Sequence, residues 1–215
     1  MGIIRNGILG GFRKKAGAVI GSYWRSLDVI KGLPRISNKP PTVAQLDQRA
    51  RFGLVTSFLS YIKDLIETGY KALSDVDTPM NVAVSYHIKE AITGVSPNFV
   101  MDYTKVMFSQ GKLRLPWDFN YTALVASEID INWVDSGNDD LLKDATDTLT
   151  VLVYNPVKDD FVRARNIAAR SLETYTMHLP AEYSGDTVHI YVAFNSTTDQ
   201  LLVSKSRYLG TTIIL

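Results

Sequence analysis

The 215-residue chain contains no cysteine, only three histidines, and no apolar run of the roughly 20 residues that cross a bilayer. Without cysteine there are no disulfides, zinc–thiolate sites, iron–sulfur clusters or thiol nucleophiles. The N-terminus also lacks the apolar stretch of a secretory signal. These absences predict a soluble protein that is made in the cytoplasm and has no membrane span.

Charge is unevenly distributed although the net charge is only +1. Residues 1–51 carry ten basic and two acidic side chains, a balance of +8, whereas residues 116–160 carry ten acidic and two basic ones, a balance of −8. Two interpretations are open: solvated faces that differ in sign, or surfaces that attract one another.

The first region, residues 1–38, is rich in glycine, with β-branched and aromatic residues between the glycines. This composition predicts a β-hairpin arm, or a short meander, that turns near residues 14–17. Because an isolated hairpin is marginally stable in water, the arm is expected to borrow a sheet or a partner.

The second region, residues 39–117, begins at a pair of prolines and shows helical spacing of apolar residues. It predicts helices over 42–68 and 78–94, the second capped by Thr78. A weaker pattern favours pairing of 103–108 with 113–115.

The third region, residues 118–215, has short runs of strand composition separated by turn signals. This spacing predicts an immunoglobulin-like or fibronectin-like antiparallel β-sandwich, so the whole chain is assigned to the α+β class. The predicted strands cover 127–134, 148–154, 171–179, 187–194, 201–206 and 209–215.

Motifs for catalysis or cofactor binding are weak. His87, His178 and His189 lack the spacing of a metal site, and no glycine-rich phosphate loop or nucleophile elbow is present. The acidic stretch 135–140 could offer oxygen ligands to calcium, but it lacks the EF-hand pattern and is better interpreted as an acidic surface loop. We therefore expect no enzyme activity, no catalytic residue, no cofactor and no metal.

Two binding alternatives arise from aromatic residues. Basic and aromatic residues mix over residues 12–24, as in single-strand nucleic-acid binders, but the isoelectric point of about 7.9 and the lack of a known motif argue against a nucleic-acid partner. Aromatic residues between 117 and 133 could instead line a sugar-binding surface. They are Trp117, Phe119, Tyr121 and Trp133.

Several motifs resemble those of a family of unknown function that is widespread in Bacteroidota. The motifs are NGILGGF at 6–12, KAGAVIGS at 15–22, KPPT at 39–42 with Gln45, Arg49 and Phe52, VHIYVAF at 188–194, and VSKSRYLG at 203–210. The resemblance implies that the three regions form one architectural unit, and it implies no activity. The glycine-rich opening is also similar to segments of phage structural proteins.

These observations lead to one hypothesis of function. The chain is predicted to be a non-enzymatic structural subunit that assembles with copies of itself, and with other particle proteins, into a ring, tube or filament. A place in a virion or virion-like particle is consistent with this hypothesis. The N-terminal arm could dock in cis, on its own chain, or in trans, on another copy. A carbohydrate-binding or adhesive module is the alternative function. The predicted assembly residues are Ile3, Ile8, Leu9, Phe12, Arg13, Lys14, Lys15, Tyr23 and Trp24.

Overall fold

The chain forms two compact units, Met1–Thr42 and Val43–Leu215. The structure is a computed structural model that describes residues 2–3, 11–24, 27–34, 39–73, 77–125, 127–135 and 142–215. Helices and antiparallel sheets both occur, which confirms the predicted mixture of α and β structure.

The first unit contains one antiparallel sheet with the strand order β1-β4-β3-β2, which we call the N-terminal sheet. A two-residue turn at Gly17-Ala18 joins β2 to β3, and Gly17 has a φ of 59°. Of the two central residues only Gly17 has a positive φ, which defines a type II′ hairpin turn and favours glycine at that position. The turn is therefore centred later than predicted. The strands are β1 (Gly2–Ile3), β2 (Lys14–Ala16), β3 (Val19–Trp24) and β4 (Leu27–Gly32).

The second unit opens with three helices, α1 (Val43–Ser60), α2 (Lys63–Gly69) and α3 (Pro79–Glu90). The single helix predicted over 42–68 is interrupted at Ile62, which is fully buried and has a non-helical ψ of 23°. The predicted start of α3 is confirmed, because the Thr78 hydroxyl accepts a hydrogen bond from the Asn81 N–H at 3.2 Å.

A short hairpin follows α3 and was not expected. It joins β5 (Ile92–Val95) to β6 (Asn98–Met101), so α3 ends before the predicted residue 94. The predicted pairing of 103–108 with 113–115 is wrong. Asp102 instead caps a 3₁₀ turn at Tyr103–Lys105 by accepting a hydrogen bond from the Thr104 N–H at 3.1 Å.

The remaining strands form two antiparallel sheets, ordered β10-β9-β12-β13 and β11-β8-β7. Five predicted strands are confirmed, with shifted ends. Two strands, β7 and β10, were missed, and residues 201–206 contain only isolated bridges at Val203 and Ser204. The strands are β7 (Asp118–Leu124), β8 (Glu128–Val134), β9 (Thr148–Asn155), β10 (Asp160–Ala164), β11 (Thr174–His178), β12 (Thr187–Asn195) and β13 (Arg207–Ile213).

The four-stranded sheet is the middle layer of the second unit. Alternate residues of β12, such as Ile190 and Val192, pack with the three-stranded sheet in one hydrophobic cluster. The residues between them, Tyr191 and Ala193, pack with the helices in a second cluster. The alternation of apolar residues over 187–194 is typical of a half-buried strand, but here the helices cover the second face, so both faces are buried.

Candidate assembly surface

The apolar residues of the N-terminal sheet are divided between its two faces. Side chains alternate along β3, so Ile20 and Trp24 lie on one face and Val19 and Tyr23 on the other. Cross-strand register adds Leu27 opposite Trp24. We call these the Trp24 face and the Tyr23 face. A single-layer sheet with apolar residues on both faces cannot bury both against itself.

Exposure values show how little core this sheet has. Among the described residues of the first unit, Val29 is the only hydrophobic side chain that is fully buried. Ile3, Tyr23 and Trp24 remain 55%, 51% and 53% exposed. The predicted lack of a core in this region agrees with these values.

Lys14 and Lys15 lie in β2, which among the described strands pairs only with β3 and forms one edge of the sheet. All three side chains of β2 are exposed. Because successive side chains alternate, Lys14 shares the Tyr23 face and Lys15 shares the Trp24 face. The edge therefore presents one positive charge to each face.

Phe12 and Arg13 lie just before β2 and contact β3. The Arg13 guanidinium lies 5.0 Å from the centre of the Tyr23 ring, within the range of a cation–π contact. A Cβ on Gly21 would overlap the carbonyl oxygen of Phe12, so this close approach requires glycine.

The predicted assembly residues thus fall into two groups. Phe12, Arg13 and Tyr23 come together, whereas Ile3 shares the Trp24 face through the register of β1, β4 and β3. The predicted residues Ile8 and Leu9 lie outside the described residues.

Lys31 was not predicted at this surface. Cross-strand register places it in one row with Ile20 and Lys15 on the Trp24 face. Its position just after residues 27–30, which have strand composition, indicated that it could extend a strand. Only the strand register shows which face of the sheet it occupies.

The histidines occupy three separate environments. His87 is buried; its Nδ1 donates to the Ala83 carbonyl at 2.7 Å, and its Nε2 accepts from the Met107 N–H at 3.1 Å. Burial lowers the pKa of His87. His189 lies beside Tyr208 with its pKa lowered by burial.

His178 is mostly exposed and pairs with Glu128 at 2.9 Å. Among the hydrogen bonds of the described residues, none joins a histidine to a serine. The described geometry therefore shows no serine–histidine pair of the kind that activates a serine nucleophile.

Sequence reasoning missed a buried ion pair between Arg170 and Asp147. The Arg170 guanidinium donates to Asp147 Oδ2 at 3.1 Å and to the Arg114 carbonyl at 2.6 Å, and it lies 4.7 Å from the Phe194 ring centre. Burial raises the pKa of Asp147 and outweighs the stabilising effect of Arg170. This arrangement ties the segment before β9 to the 3₁₀ turn before β11.

The aromatic residues predicted for sugar binding differ in exposure. Trp133 is buried between the two sheets and its Nε1 donates to the Arg170 carbonyl, so it cannot form a binding surface. Phe119 and Tyr121 are partly buried against the same cluster. Only Trp117 is widely exposed, at 75%.

A polar cavity of about 480 Å³ lies at one end of the second unit. Asp64 is held there by Arg163 at 2.7 Å and by Arg165 at 3.0 Å. Amide and hydroxyl groups line most of the rest. The lining residues are Asp64, Glu67, Thr68, Lys71, Arg165, Asn166, Asn195, Ser196, Gln200, Leu202 and Val203.

The molecule thus belongs to a class of mixed α/β proteins in which a four-stranded antiparallel sheet lies between helices and a second sheet, preceded by a separate strand-rich unit. The chain belongs to the family of unknown function DUF6266, whose model matches residues 11–210. Comparison with curated proteins gives no significant match. In the described part of the chain, no helix is long and apolar enough to cross a membrane.

Proposed function

We propose that this protein is a non-enzymatic structural subunit that associates with copies of itself through the N-terminal sheet. The observation that carries the proposal is the single-layer sheet itself, which exposes Ile3, Tyr23 and Trp24 and buries only Val29 among its described hydrophobic side chains. Apolar surface of this kind is typical of protein interaction sites.

The energetics favour association by edge pairing as well as by burial. Burying one large apolar side chain contributes about 1.5–3 kcal/mol, whereas association costs roughly 4–15 kcal/mol of translational and rotational freedom. Burial of the few exposed apolar side chains would therefore barely offset the free-energy cost of association. Strand β2 adds a backbone edge that no other described strand pairs with, which supports β-strand addition to another copy.

A contact between the N-terminal sheet of one copy and a different surface of the next is heterologous, and such contacts generate rings or open filaments. A ring or tube of a phage-derived particle is the specific form we propose. Its support is the likeness of the glycine-rich opening to phage structural proteins.

Size-exclusion chromatography with light scattering tests the proposal on the full chain and on a chain that starts at Thr42. The second unit contains both large hydrophobic clusters, so the shorter chain is expected to fold. We expect large assemblies only from the full chain. A full chain that stays monomeric at high concentration would refute self-association and would favour docking of the sheet in cis.

We also propose that strands β7–β13 form an immunoglobulin-like or fibronectin-like sandwich. Strands β7, β8 and β11, the first, second and fifth of this set, share one sheet, and the other four strands share the second sheet. This arrangement differs from the constant-type immunoglobulin order only in the sheet that the fourth strand, β10, joins. Tyr183, buried just before the sixth strand, occupies the place of a tyrosine corner, although its hydroxyl donates to Asp160 rather than to backbone. Superposition of an experimental structure on such domains would test this assignment.

A carbohydrate-binding or adhesive module is the second candidate. The polar cavity beside Asp64 supports it, because paired charges and amides suit a neutral polyhydroxyl ligand. Exposed Trp117 offers a separate stacking surface. A glycan array with the wild type, Asn166→Ala and Trp117→Ala would show which site binds, and absence of binding to any glycan would count against the candidate.

A further inference from the structure

Strand β11 is an end strand of the three-stranded sheet, and among the described residues its outer backbone edge pairs with no other strand. The Glu173 carbonyl and the Leu179 N–H, which flank the strand, both bond toward β8. Since antiparallel pairing alternates, the odd-numbered residues between them also bond to β8. The outward N–H and C=O groups belong to Thr174, Thr176 and His178.

The outer face of the same sheet is acidic. Side chains of Tyr175 and Met177 point into the inter-sheet cluster, so the alternate side chains of β11 face outward. Cross-strand register places carboxylates from β8 and β7 on this outer face, which we call the acidic face. Three of its described residues, Asp118, Glu128 and Asp130, are carboxylates, and none is lysine or arginine. The described residues of the acidic face are Asp118, Asn120, Thr122, Leu124, Glu128, Asp130, Asn132, Val134, Thr174, Thr176 and His178.

The N-terminal sheet carries the opposite charge at its own edge. In β2, Lys14 and Lys15 are adjacent and exposed. If β2 is added to a sheet, successive side chains alternate between the faces, so either register places one of these two lysines on the outer face. The charge match therefore does not depend on the register of docking.

The other sheet edges of the second unit suit a basic strand less well. Edge strand β10 lies beside the helices, where the Arg163 guanidinium donates to the Tyr61 carbonyl and to Asp64, both at 2.7 Å, and β10 carries one acidic and one basic residue, so it offers no net negative charge. Strand β13 lies beside β7, where the Tyr121 hydroxyl donates to the Thr211 carbonyl at 3.2 Å. Among the described edge strands of the two larger sheets, these contacts leave β11 as the one that combines outward backbone groups with complementary charge.

We infer that the N-terminal sheet of one copy adds strand β2 to the edge of β11 in a second copy, with the acidic face beside the lysines. This inference rests on the proposed self-association and names its acceptor surface. Electrostatic complementarity then sets the association rate and the choice of edge, while backbone pairing and apolar burial hold the complex.

The first test substitutes the exposed Thr174 at the outward edge. Thr174→Lys adds positive charge where the basic strand would dock, and we expect it to raise the midpoint concentration of assembly about tenfold. Thr174→Glu should leave that midpoint unchanged or lower it. Thr93→Lys adds the same charge on the exposed β5 strand and should have no effect. Thermal melts of all three variants check that they remain folded.

The second test uses the head-to-tail geometry. A chain that starts at Thr42 lacks the N-terminal sheet but keeps β11, whereas Thr174→Lys keeps the sheet but blocks β11. Each alone should stay monomeric near the wild-type midpoint concentration, and their mixture should form a 1:1 dimer and nothing larger. Light scattering distinguishes these species by mass.

The outcomes separate the two proposals. If the full wild-type chain is monomeric, self-association itself is wrong. If the wild type assembles, the Thr42 chain does not, and Thr174→Lys assembles like Thr93→Lys, then the N-terminal sheet is the interface but β11 is not its acceptor. A mixture that forms large assemblies instead of dimers would also overturn β11 as the acceptor.

Discussion

The N-terminal sheet and the central sheet of the second unit are both four-stranded and antiparallel, yet they are buried to opposite extents. Strand β12 is almost fully buried because helices cover one face and a second sheet covers the other. Strand β3, with similar apolar content, keeps Tyr23 and Trp24 exposed. The comparison shows that the layers packed against a sheet, more than its own strand composition, decide how much core it has.

The largest difference should appear in matched isoleucine deletions. Ile190→Ala removes a fully buried side chain between the two sheets and should lower the free energy of unfolding by about 2–5 kcal/mol. Ile20→Ala, in the partly exposed N-terminal sheet, should lower it by less than about 1 kcal/mol. Urea unfolding of the dilute, monomeric protein measures both. Equal losses would mean that the N-terminal sheet also has a substantial core.

Two glycines of the N-terminal sheet offer a sharper local test. Gly21→Ala would place a methyl group against the Phe12 carbonyl and should distort the sheet, whereas Gly32→Ala meets no neighbouring atom. We expect Gly21→Ala to weaken assembly at least tenfold without changing the unfolding of the second unit. Sedimentation velocity compares the assembly of the two variants. If both assemble similarly, the N-terminal sheet is not the assembly interface.

A pH effect should be confined to the second unit. His87 accepts a hydrogen bond from the Met107 N–H, so the folded state holds it neutral, and burial lowers its pKa. The unfolded chain then binds a proton more readily, so stability should be full above the ordinary pKa of about 6.5 and should fall as pH decreases through and below that value.

The variant His87→Gln should reduce this dependence on pH, whereas His178→Gln at the exposed site should not. Thermal melts between pH 7.5 and 5 measure it. A stability profile that is unaffected by His87→Gln would show that another group causes the acid sensitivity.

The smallest effect is expected from salt. The Debye length falls from about 10 Å at 0.1 M to about 3 Å at 1 M, so high salt should slow association between Lys14 or Lys15 and an acidic surface. Finished assemblies should persist because backbone pairing and apolar burial are not screened in this way. Stopped-flow light scattering on the wild type and on the double variant Lys14→Glu, Lys15→Glu measures the rate. Unchanged kinetics in both would remove electrostatics from the proposal while leaving strand docking intact.

Local patterns predicted much of the fold because they depend on neighbouring residues. Thr78 followed by Pro79 predicted the start of α3, and runs of β-branched residues predicted most strands of the second unit. The same patterns failed to predict β7. In that strand Phe119 and Tyr121 are partly buried and their neighbours are exposed, a difference that is visible only in the structure. They also failed at Tyr103–Lys105, where a local cap by Asp102 replaced strand pairing.

The candidate assembly surface was predicted in part. The residues of β2 and β3 were named from charge and aromatic content, and the structure leaves the side chains of Lys14, Lys15, Tyr23 and Trp24 exposed. Their division between two faces was not predictable, because register depends on which residues of separate strands pair. The buried Arg170–Asp147 pair was also missed, since its partners are 23 residues apart in sequence.

The sequence by itself determined the mixed α and β composition, the glycine-dependent turn that includes Gly17, the cap of α3 and the opposite charge of residues 1–51 and 116–160, because each depends on residue type or short spacing. The tertiary structure alone decided that Tyr191 and Ala193 are buried under helices while Trp24 remains exposed. Burial is a property of what packs against a residue, and those partners come from distant segments that no local pattern specifies.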